Sequence, residues 1–143
     1  MGDLSDHFNL KDFLCKCKEC RGGEYKIHLG LVGALELIAE HFQKPVKVLI
    51  GFWCEAYNEK LKKEKLSYHV KGKAAHIAIE GVPLAEVFKF AETVPELHGL
   101  GFYPQGNFIH VDTRPAEKKD AWVVEGERYS PLSAEKRKQY GLA

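Results

Sequence analysis

Helices and short strands sharing one domain are what the chain predicts, and three observations point there. Apolar residues recur at helical spacing in two separate stretches, 29–42 and 84–91. Short runs of strand-like composition lie between and after them. One pair of these runs, 99–103 and 108–113, flanks a Pro-Gln-Gly-Asn turn, the signature of a hairpin.

Taken in order, Asn9-Leu10-Lys11-Asp12-Phe13 reads as a capped helical turn, with Asn9 as the cap and Asp12 in the first turn. Cys15 to Gly23 is too polar and glycine-rich for a regular element and reads as a knuckle-like loop. The first helix carries Leu31, Ala34, Leu35, Ile38 and Phe42 on one stripe and stops before Pro45. Val46–Ile50 is a buried strand closed by Gly51. Glu55 to Lys65 reads as a charged helical segment, its lysines a solvated face or a contact for an acidic polymer. His76–Glu80 is the next strand, and Gly81-Val82-Pro83 turns into the second helix with its stripe of Leu84, Val87, Phe88 and Ala91. After Pro115 the chain is polar, with Trp122-Val123-Val124 the strongest packing element. With 143 residues, 45% of them hydrophobic, one domain spanning 1–143 with 116–143 as a C-terminal extension is expected.

Bulk charge narrows the function. A net charge of +1 argues for neither nucleic acid nor a membrane as partner. The first residues show neither a basic nor an apolar leader segment, so the chain as written is expected in the cytoplasm, and its cysteines are read first as thiols.

The chemistry concentrates in two segments. In Phe108-Ile109-His110-Val111-Asp112-Thr113-Arg114 the residues alternate, so Phe108, His110 and Asp112 share one strand face. In Ser67-Tyr68-His69 through Ala75-His76-Ile77-Ala78-Ile79, His76 opposes its aliphatic neighbours in the same way. If the two strands pair, His76, His110 and Asp112 lie side by side, and His69 reaches them from the preceding loop. Three imidazoles can hold a zinc ion and leave a position for water, whose pKa falls to about 7. Asp112 would then take a proton from that water or orient a ligand. The alternative is that these are ordinary histidines, and there is no His-Glu-x-x-His helix. Cys15, Cys17, Cys20 and Cys54 supply four thiols, the complement of a structural zinc site. Disulfides or plain thiols are the other readings.

These motifs in their order resemble a known family. Leu4-Ser5-x-His7-Phe8 and the Cys-x-Cys knuckle are followed by Ile50-Gly51-Phe52-Trp53-Cys54-x-Ala56-Tyr57-Asn58. Ser67-x-His69-x-x-Gly72-Lys73-Ala74-Ala75-His76 comes next, then Gly101-Phe102-Tyr103 leading into Phe108 to Arg114. The set is similar to zinc peptidases related to D-Ala-D-Ala carboxypeptidases, a group with phage endolysin peptidases that shares its fold with the hedgehog signalling domain. The resemblance covers about Leu4 to Arg114.

It implies an α+β fold, with a small antiparallel sheet carrying the metal on one face and helices on the other. It also implies His69 and His110 as zinc ligands, and peptide bonds next to D-amino acids in peptidoglycan stems as substrate. Two positions depart from the pattern. His76 stands where the family has an aspartate ligand, and Trp53 stands where it has an arginine that would hold substrate or oxyanion. Arg114 and Lys73 are the cations that could replace it, and Asp112 is left as candidate base. Ser67, Trp53 and Arg114 are the candidate substrate contacts, although Trp53 also reads as core. A catalytically silent metal-binding or interaction domain is the alternative function, and action on peptidoglycan would require release to the cell wall.

Overall fold

A computed structural model describes residues 4–15, 26–54, 68–115 and 117–142. The expected helical segment from Glu55 to Lys65, together with Cys17, Cys20 and Ser67, lies outside the described residues. After a 3-10 turn at Leu10–Phe13 come α1 (Leu29–Phe42), β1 (Lys47–Ile50), β2 (Ala74–Ala78) and α2 (Leu84–Thr93). The chain then forms β3 (Gly99–Tyr103), β4 (Phe108–Asp112), β5 (Asp120–Glu125), β6 (Arg128–Pro131) and α3 (Ala134–Tyr140).

The six strands make one sheet in the order β1-β2-β4-β3-β5-β6. Every pair is antiparallel except β3 with β5, so the sheet is mixed, where a small antiparallel one was expected. The difference comes from the C-terminal extension. Polar by composition, it buries Val123 and Val124, and it adds two strands beyond β3. Strand β2 begins two residues earlier than its sequence suggests, because pairing with β4 already starts at Ala74 opposite Asp112. Its far end is closed by a turn in which the Val82 amide donates to the Ile79 carbonyl, with Gly81 at φ +81°.

The apolar faces of the helices and of the sheet meet in one core. Leu31, Leu35 and Ile38 of α1 and Val87, Phe88 and Ala91 of α2 pack with Ile77, Leu100, Phe102, Ile109 and Val111 of the strands. The stripes and the strand alternation therefore bury the residues their periodicity implied, except that Phe42 and Leu84, at the helix ends, are partly buried against the core. The start of the chain is clipped to α1, since Ser5 Oγ (2.5 Å) and the His7 amide (2.7 Å) both donate to Glu36 Oε2. The polar residues of the alternation, His76, His110 and Asp112, are left on the opposite face of the sheet.

Candidate metal centre

Register decides what these side chains can do. His76 pairs directly with His110 across β2 and β4, so their side chains leave the same face side by side. His69 lies in the turn before β2, tightened by amide bonds from Gly72 to the His69 carbonyl and from Lys73 to the Tyr68 carbonyl. The Trp53 amide donates to the His69 carbonyl at 3.4 Å, and the Trp53 ring lies flat on the imidazole with centroids 4.0 Å apart. His69 and His110 are buried and His76 is partly open, and each offers a ligand atom within 4.8 Å of the others'.

The ring partners settle which nitrogens face inward. Gly51 carbonyl oxygen can only accept, so His69 Nδ1, at 2.7 Å, carries the proton and Nε2 carries the lone pair. Likewise His110 Nε2 donates to Asp112 Oδ2 at 2.8 Å, which puts the lone pair on Nδ1. His69 Nε2 and His76 Nε2 stand 3.3 Å apart. Two nitrogens each about 2.05 Å from a tetrahedral ion lie about 3.3 Å from one another, so this spacing fits a shared zinc. The donor set fits as well, being neutral imidazoles whose other nitrogens are held by a carbonyl and a carboxylate.

Asp112 is completely enclosed. Its Oδ1 accepts from the Arg114 amide (3.1 Å) and Nε (2.9 Å), and its Oδ2 accepts from His110 and from Arg114 Nη2 at 2.7 Å. Burial by itself would raise this carboxyl's pKa. The bonds from His110 and Arg114 outweigh it and hold the group well below the usual carboxylate range. Of the two roles expected for Asp112, orienting His110 is the one this geometry supports. Both of its oxygens are spent on these donors, and the side chain is fully buried. Arg114, expected to contact substrate, has turned back to Asp112 and lies over the rings of Tyr68 and Trp122 at 4.9 and 5.1 Å. Trp53 is buried beneath His69.

Cys15 and Cys54, 39 residues apart in sequence, are buried in a second cluster with Phe52, Trp53 and Val70. The Cys54 amide donates to Cys15 Sγ at 3.3 Å.

Four contributors escaped the sequence reading. Gly99 and Gly101 of β3 lie beside Asp112 and His110, and their missing side chains make room. A Cβ at Gly99 would sit 2.3 Å from Asp112 Oδ1, and one at Gly101 would sit 2.6 Å from Trp122 Nε1. Trp122, from the C-terminal extension, folds over Gly101 with its ring 5.3 Å from that of His110. Tyr103 closes the other side, stacked on Phe108 at 4.5 Å and 5.4 Å from the His76 ring. Burial, then the neighbouring Tyr129 hydroxyl, pushes the Tyr103 phenol above its ordinary range, with Trp122 acting in the other direction. A Gly-x-Gly alternation inside a strand is a sign of close approach, and it was the available signal. Gly99→Ala should push the carboxylate off His110 and lower the melting temperature by several degrees. A circular-dichroism melt checks this, and an unchanged midpoint would mean that the strand gives way instead.

Residues 6–112 match the family Peptidase M15. The chain belongs to that family. Among curated relatives, it is 38% identical over 79 residues to "Peptidoglycan L,D-endopeptidase MepK" of Escherichia coli (strain K12), which covers 52% of this chain and 43% of that protein. It is 41% identical over 75 residues to "Probable peptidoglycan L,D-endopeptidase MepK" of Haemophilus influenzae (strain ATCC 51907 / DSM 11121 / KW20 / Rd), covering 49% and 40%. The aligned part is thus less than half the length of each of these relatives. The family match ends at Asp112, so Trp122 and the last two strands lie beyond it. Among the described residues no helix is long and apolar enough to cross a membrane.

Proposed function

We propose that this M15-family domain is a zinc peptidase that hydrolyses peptide bonds next to D-amino acids in peptidoglycan stems. One observation carries the reading. Two imidazole Nε2 atoms face each other at 3.3 Å, with His110 directly across the strand pair from His76 and the outer nitrogens of His69 and His110 held by fixed acceptors. His69, His76 and His110 would hold the ion, which when bound lowers the pKa of a coordinated water to about 7 and polarises a carbonyl. The chain's own part is to keep the three lone pairs convergent. Gly51 and Asp112 fix two tautomers, and Arg114 holds Asp112 in place. The relatives' names point to peptidoglycan and to an L,D bond as the substrate class.

The enclosure of Asp112 favours a second reading, a metal-binding domain without hydrolysis, because it takes the candidate base out of reach. A second, structural ion at Cys15, Cys17, Cys20 and Cys54 is a companion proposal. It is supported by the amide donated to Cys15 Sγ, since such a donor stabilises a thiolate. Disulfides among the same residues are the competing state.

Purified protein should carry one zinc ion per chain, or two if the thiols also bind, and should release fragments cut at an L,D or D,D bond from isolated muropeptides, as read by mass spectrometry. Chelation should abolish release and added zinc should restore it. Bound zinc with no cleavage would select the silent domain, and no bound metal would sink both readings.

A further inference from the structure

When water adds to the carbonyl carbon of an amide, the carbonyl electron pair moves onto oxygen, and a placed donor must meet that charge. Arg114 cannot serve, because its Nε and Nη2 are spent on Asp112 and its Nη1 faces Asp120 at 3.6 Å. We propose that the Tyr103 hydroxyl, positioned by the Trp122 indole N–H, is the donor that receives the carbonyl oxygen of the scissile bond. The inference rests on the peptidase reading.

Three observations support it. Tyr103 leaves β3 on the same face as the triad, with its ring 5.4 Å from that of His76. Its hydroxyl stands 3.5 Å from the hydroxyl of Tyr129, the outer limit for a hydrogen bond, and Tyr129 is more than half exposed. A stronger acceptor would therefore capture that proton readily. Finally, Trp122 Nε1 is the buried side-chain polar atom among the described residues that makes no aligned hydrogen bond. A buried N–H in that condition is unfavourable. Trp122 sits opposite Gly101, two residues before Tyr103 on the same face of β3, with Nε1 2.6 Å from where a Gly101 Cβ would stand. With the indole donating to Tyr103 Oη, the Tyr103 O–H is left for the substrate carbonyl.

The balance is simple. Tyr103 keeps its proton and only lends a hydrogen bond. The electron pair returns from oxygen as the C–N bond breaks, and the amine leaves with the proton given up by the attacking water. Trp122 acts through Tyr103 and is a positioning residue.

Tyr103→Phe keeps the ring stack and tests the donor alone. With zinc-loaded protein and a purified muropeptide, kcat should fall on the order of 100-fold while KM stays within about twofold. Trp122→Phe should show the same split, at about 10-fold, with zinc content unchanged in both. By calorimetry, a phosphonate peptide mimicking the tetrahedral intermediate should bind Tyr103→Phe weaker by the same factor, whereas the product peptide should bind it as it binds wild type. An unchanged kcat in Tyr103→Phe, a change confined to KM, or equal phosphonate affinity would overturn the proposal. A wild-type protein that cleaves no stem peptide would instead overturn the peptidase reading beneath it.

Discussion

His76→Ala should strip the ion from the centre. The wild-type chain is expected to hold about one zinc at the histidines and the variant close to none, with hydrolysis down on the order of 1,000-fold or more. The reason is geometric. His76 is the member of the triad whose Nε2 stands 3.3 Å from His69 Nε2, and removing it leaves two imidazoles, too few for a tight site at neutral pH. The ring also stacks on Phe108 at 4.7 Å and lies 5.4 Å from that of Tyr103, so the fold itself should lose only ring contacts of a partly open side chain. His76→Asp is the informative companion. A carboxylate also ligates zinc, so this variant should retain the ion, at altered affinity, if the position is a ligand. Atomic absorption on dialysed protein decides the matter, and full stoichiometry in His76→Ala would remove this residue from the centre.

Asp112→Asn should cost both metal and stability. The amide keeps the size of the side chain but puts an NH2 in place of an oxygen that accepts two bonds, so it leaves His110 or Arg114 facing a donor. Breaking a buried pair by losing one partner costs about 3–5 kcal/mol, and the partial exposure of Arg114 argues for the lower end. For a chain of this size that is a fall of about 10 °C in melting temperature. Loss of the His110 orienter should weaken zinc binding by about 10–100-fold.

The pH dependence has a definite sign. Asp112's folded-state pKa is depressed relative to an unfolded value of about 3.9. Its stabilisation is therefore fully present above that value and is lost as pH falls below it toward the depressed one. Metal-free wild type should lose stability more steeply than metal-free Asp112→Asn below about pH 4. Parallel acid profiles for the two proteins would show that the carboxylate is not carrying this charge.

Much of this arrangement was legible in the residue order because it depends on local spacing. Alternation in Phe108 to Asp112 puts His110 and Asp112 on one face whatever the rest of the chain does. The stripe of α1 appears over the residues where the helix forms, 29–42, because each apolar side chain faces the core once per turn. The pairing of His76 with His110 was conditional on two strands meeting, and the register supplied that condition.

Other features depend on contacts between segments far apart in sequence, and no local pattern encodes those. The Gly51 carbonyl that sets the His69 tautomer is 18 residues away along the chain. Asp112's place between His110 and Arg114 needed β3 to lack a side chain at Gly99. Trp122 read as packing, and it became a wall of the site once β5 ran parallel to β3 and laid the indole over Gly101. Residue order thus specified which side chains share a face, because strand and helix periods are intrinsic to the backbone. Register and side-chain crowding then specified which nitrogens converge, because those distances exist only after the segments have packed.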